Sequence, residues 1–186
     1  MQMVSRTSKH SQLGDVSTPH VAGDMTEAYI KVSETTVSGG AVTSVQFTGL
    51  DLESDETYLI YVLLKNATAS ASTISMTVNS DATATNYYAQ TMIRSDTTAA
   101  GNRTNDAQIG YMNASDFYHG HLFVHKLAGV NPWANYVSCY NATATVNVWN
   151  GAWVHNSTTN VTTLTIIGST ASSIADGSKI IIYKLG

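Results

Sequence analysis

A chain of 186 residues, 43% hydrophobic but only 12% charged, carries enough apolar material for one domain with a sizeable core. Its net charge of −4 and pI near 5.8 give no electrostatic case for binding nucleic acid or an anionic membrane. Serine, threonine and asparagine make up about a third of the chain, a neutral hydrogen-bonding composition that suits strands better than helices.

Residues 1–25 mix Ser, Thr, His, Gln, Gly and Pro19 without periodicity, which predicts an N-terminal arm ahead of a single domain over residues 26–186. The opening stretch has no apolar signal segment and no run approaches a membrane span, so the expectation is a soluble protein made in a cytoplasm. Tyr29 to Val32 reads as a short strand and Ser38-Gly39-Gly40 as a turn. Val42, Val45, Phe47 and Leu50 mark a second strand. An acidic patch, Asp51 to Glu56, leads into Thr57 to Leu64. The continuous apolar and aromatic character of that run predicts burial on both faces.

Ile74, Met76 and Val78 alternate with polar residues, Asn79-Ser80-Asp81 is a turn, and Asn86-Tyr87-Tyr88 opens a strand reaching Arg94. Ser95 to Asp106 reads as a polar loop. Gln108 to Met112, Phe117 to Leu127 and the segment around Cys139 follow as strands. Asn150-Gly151 stands between two alternating runs and predicts a two-residue hairpin turn. Val161 to Ile167 and Lys179 to Leu185 close the chain, the last expected to be central and to tie the end of the chain into a sheet. About ten strands, turn signals between them and no convincing helix predict an all-β, antiparallel two-sheet sandwich.

Candidates for chemistry are few. Cys139 is the single cysteine and cannot form an internal disulfide; an inert, buried thiol is expected. Six Asn-x-Ser/Thr triplets, beginning at Asn66, Asn102, Asn113, Asn141, Asn156 and Asn160, are read as a consequence of composition. His119, His121 and His125 share one face of a strand. They are candidate metal ligands or, alternatively, part of a strand surface or interface, since no Cys, Asp or Glu lies nearby in sequence to complete a site.

Asp51, Glu53, Asp55 and Glu56 are crowded into one turn, as solvated loop acids ordinarily are. No nucleophile elbow, phosphate loop, dinucleotide fingerprint or Cys-x-x-Cys is present, which predicts a non-enzymatic protein without a cofactor. In Thr145 to Trp149 the valines share one face, while Trp149 lies with Thr145 and Asn147. A Trp on a polar face predicts contact with a subunit, a partner surface or a sugar ring; the alternative is a cover formed by the arm or a loop. Trp133 and Trp153 are candidates for the same role.

Several of these runs together resemble a known module. Gly49-Leu50-Asp51-Leu52, Thr57-Tyr58-Leu59-Ile60, Met76 to Asp81, Asn86-Tyr87-Tyr88, Trp153, Thr162 to Ile166 and Gly177 to Tyr183 resemble a jelly roll of tailed-bacteriophage structural proteins. That family includes capsid decoration proteins, head fibres and tail-fibre tips, and the resemblance covers about residues 27–186. It implies a jelly-roll-like sandwich and a homotrimeric, non-enzymatic virion component. The chain has no coiled-coil heptads or collagen-like repeat to build a shaft. The expectation is therefore a decoration (cement) protein on the capsid surface, bound to the major capsid protein through its N-terminal arm. The alternative is a head-fibre or tail-fibre tip that binds a receptor or a host surface glycan.

Overall fold

Threonine, valine, isoleucine and tyrosine at alternating positions favour extended backbone, and here ladders join that backbone into two antiparallel sheets. A computed structural model describes residues 28–95, 98–142 and 145–185. The expected arm, residues 1–25, lies outside the described residues. The strands are β1 (Tyr29–Thr36), β2 (Ser44–Thr48), β3 (Thr57–Lys65), β4 (Ser72–Val78), β5 (Tyr87–Ser95) and β6 (Thr98–Thr104). They continue as β7 (Gln108–Met112), β8 (Phe117–His125), β9 (Trp133–Ala142), β10 (Thr145–His155), β11 (Thr163–Gly168) and β12 (Lys179–Leu185).

The large sheet has eight strands in the order β1-β12-β3-β8-β9-β10-β5-β6, and the small sheet four, in the order β2-β11-β4-β7. The chain crosses repeatedly from one sheet to the other, and its last strand inserts between β1 and β3. The expected two-sheet antiparallel sandwich is the fold.

Residues of one parity from each sheet meet in the core. Tyr58, Ile60, Val62 and Leu64 of β3, Leu122 and Val124 of β8, and Ile180 and Ile182 of β12 face Phe47, Ile74, Met76, Leu164 and Ile166 of the small sheet. Tyr118 is fully buried; its hydroxyl and that of Ser138 both donate to the Ile109 carbonyl, at 3.1 and 2.8 Å, which joins the two layers through a polar contact. Burial pushes the Tyr118 phenol well above its ordinary pKa, so it remains a donor. Asn79 and Ser80, both at positive φ, form the expected turn, closed by the Asp81 amide donating to the Val78 carbonyl at 2.9 Å.

Four expectations are corrected. Asn150-Gly151 is not a hairpin turn but the middle of β10, paired with β9 on one side and β5 on the other. The glycine is needed for space: a Cβ there would collide with the Tyr136 hydroxyl and lie 2.9 Å from the Gln90 carbonyl oxygen. Ser95 to Asp106 is not simply a loop, because Thr98–Thr104 pairs with β5 as the marginal strand β6. Nearly every β6 residue is exposed, so no apolar alternation announces it. Strand β3 is buried along one face, whereas on the other only Leu59 is buried and Tyr61, Leu63 and Lys65 are exposed, since among the described residues no second sheet covers that side. Strand β12 is internal but lies one position from the margin, with Ile181 and Tyr183 half-buried.

Candidate functional site: the outer face of the large sheet

The small sheet covers one face of the large one; the residues of opposite parity point away from it. Register places them in rows that run across the strands. One row is Ile181, Tyr61, His121, Val137, Asn150 and Met92; the next is Lys179, Leu63, His119, Cys139, Val148 and Arg94. Leu63 is 48% exposed, Phe117 63% and Val146 62%, and Tyr61, Met92 and Val137 are exposed as well. Isolated apolar residues on a surface are ordinary, but here they recur on adjacent strands, interspersed with His119, His121 and Asn150, which makes the face a candidate contact surface.

Charge is confined to the rim of this face. Glu34 on β1 pairs with Lys31 at 2.9 Å and with Lys179 at 2.5 Å. The acidic turn lies off the face and is committed to local structure around the short helix α1 (Leu52–Asp55). Asp51 accepts from the Ser54 amide at its N-terminal end, and Asp55 accepts from the Tyr58 hydroxyl and pairs with Lys184. These carboxylates do not face one another across a cleft.

The three candidate histidines all lie on the outer face. His119 is exposed, and His121 and His125 are half-buried. The His125 ring stacks on Trp133 with centroids 4.3 Å apart, and its Nδ1 lies 3.0 Å from Thr57 Oγ1. Burial holds its pKa below the ordinary value, partly offset by a hydrogen bond with Asn135. Among the described residues, no three His, Cys, Asp or Glu side chains come together as metal ligands. Cys139 is half-buried on this face rather than enclosed, because among the described residues no strand packs over that side of β9.

The three tryptophans separate. Trp133, 43% exposed, stands on the outer face. Trp149 and Trp153 do not: both are in the core, and Trp153 packs edge-to-face on Tyr87 at 5.6 Å. The parity of β10 is thus the reverse of what its polarity suggested. Val146 points outward, while Asn147 and Trp149 point inward, and indole area outweighs the cost of burying Asn147. Asn147 Oδ1 and the indole nitrogens of Trp149 and Trp153 have no hydrogen-bond partner among the described residues.

Sequence reasoning missed Tyr61, Leu63, Val137 and Met92. The signal was present as apolar residues of both parities in β3, which it read as two-sided burial. Comparison with protein-family models, with curated proteins and with solved structures finds no match for this chain.

Proposed function

We propose that this protein is a non-enzymatic structural component of a bacteriophage virion. In this reading it is a homotrimeric decoration protein that binds the major capsid protein on the outer shell through residues 1–25 and stabilises the capsid. The observation that carries the reading is the broad, charge-poor outer face of the large sheet, which suits extended protein contact better than catalysis in a cleft. The sandwich and the residues that resemble the phage module are consistent with it. A second reading, a receptor- or glycan-binding fibre tip, is favoured by one feature. Exposed Trp133, stacked on His125, offers an aromatic platform on the same face as Asn135 and Gln90.

Binding to purified particles separates the two readings. The full chain is expected to saturate the shell at high copy number, and a chain lacking residues 1–25 to stay folded but unbound. If the full chain ignores the shell and binds host cells or glycans instead, the fibre-tip reading replaces the first.

A further inference from the structure

We infer that the outer face of the large sheet is where copies of this chain pack against one another. It deepens the proposal above and rests on it only for the number of copies; the surface itself follows from the sheet order and the exposed side chains.

Size is the first argument. The face runs from β12 to β5, five inter-strand spacings or about 24 Å, and along the nine residues of β3, about 27 Å, with Tyr61, Leu63, Val137 and Met92 interspersed among His119, His121 and Asn150. That footprint, roughly 650 Å² before side-chain relief is counted, approaches the roughly 800 Å² per partner of a standard stable interface.

Charge is the second argument, and it selects the occupant. Nucleic acid or an anionic lipid surface calls for a basic patch, whereas here Lys65, Lys179, Arg94 and Arg103 stand only around the margin of a protein of net charge −4. A strongly charged protein partner would meet no complementary pattern. A face that mixes Tyr61, Leu63, Val137 and Met92 with the uncharged polar Asn150 and with His119 and His121 fits a surface of its own kind, and rotational symmetry lets three copies of one face close around a common axis.

The third argument comes from the margin. Strand β6 is exposed on both faces and hydrogen-bonded on one edge only, an arrangement that a neighbouring copy would cover. Cys139, the single thiol, lies within the face beside His119 and Val148 and serves as a reporter of that cover.

The test uses the full chain. Its mass is measured by sedimentation velocity and light scattering, alongside Leu63→Glu, Val137→Glu and, as a control on the outside of the small sheet, Thr48→Glu. Both face positions point to solvent in the single chain, so the fold is expected to survive, as checked by circular dichroism and a cooperative melt. The parent and Thr48→Glu are expected to be multimers with a slowly reacting thiol. Leu63→Glu and Val137→Glu are expected to be monomers in which Cys139 reacts with an aromatic disulfide reagent several-fold faster.

Two variants on separate strands keep the test decisive if one fails to fold. A monomeric parent overturns the inference, whether Cys139 is reactive (a bare face) or protected (a face covered by the chain's own residues). So does a multimer that survives both charged substitutions with Cys139 unchanged. Particle binding reports separately: a multimer that ignores the shell sinks the decoration reading alone, and a monomer that coats it sinks this inference and the trimer while leaving the decoration role standing.

Discussion

Substituting Gly151 with alanine tests whether β10 is continuous and why a glycine stands at its centre. Gly151 is opposite Tyr136 on one side and Thr91 on the other, and the Tyr136 phenol crosses above it to meet Thr91 Oγ1 at 2.6 Å. Burial pushes that phenol up to about 12, so it is a neutral hydrogen-bonding group at any ordinary pH. A methyl group at Gly151 would collide with the phenol and press on the Gln90 carbonyl 2.9 Å away. Overpacking of this kind costs about 1–3 kcal/mol. Displacing the phenol adds about 1 kcal/mol for the lost hydrogen bond, giving roughly 2–4 kcal/mol in total.

Urea unfolding of Gly151→Ala measures this directly, with Tyr136→Phe expected to lose only about 1 kcal/mol. Adding Gly151→Ala to Tyr136→Ala should cost less than adding it to the parent, with a coupling of about 1–3 kcal/mol, because the ring is no longer in the way. A Gly151→Ala chain within about 0.5 kcal/mol of the parent would refute the packing argument and restore a permissive turn at this position.

Two further outcomes follow from the structure. Trp153→Ala is expected to cost about 3–5 kcal/mol in denaturant, as removal of a fully buried aromatic does; unchanged stability with lost partner binding would return Trp153 to a ligand role. Asp81 is held well below its ordinary value of 3.8, chiefly by the Asn86 side-chain hydrogen bond and then by His155 Nε2 at 2.9 Å. The stability this gives is present above pH 3.8 and lost as pH falls below it towards the depressed folded value. Asp81→Asn should therefore lower stability at neutral pH and flatten the acid limb below pH 3.8, whereas an unchanged limb in an acid titration followed by circular dichroism would show that the network contributes nothing.

Strand positions were legible where one parity was apolar and the other polar. Ile74, Met76 and Val78 of β4 and Val45 and Phe47 of β2 are buried as their alternation predicts. The turn at Asn79-Ser80 was legible because Asn79-Ser80-Asp81 is a cluster of turn-forming residues after an alternating run, although Ser80 joining Asn79 at positive φ was not foreseen. Strand β6 was not, since Thr-Ala-Ala-Gly-Asn-Arg-Thr pairs through its backbone alone. Lys126 was equally hidden. By type it belongs in water, yet it is fully buried, with Nζ donating to the Leu127 and Val130 carbonyls at 3.2 and 3.0 Å and closing the turn after β8.

The misreadings of β3 and β10 have one cause, and it bears on the site. Alternation in a sequence reports which residues share a face, but not which face another layer will cover. In β3 both parities are apolar, so the sequence suggested two covers where the described residues supply one. In β10 the valines looked like the core side, yet Trp149 and Trp153 are buried in the core and Val146 is exposed. Cover is decided by the footprint of the small sheet, a long-range property of four strands drawn from distant parts of the chain. The apolar side chains left over on β3, β9 and β10 gather on the face of the large sheet that the small sheet does not cover, and that coincidence across three strands is what makes the face a candidate site rather than a scatter of exposed residues.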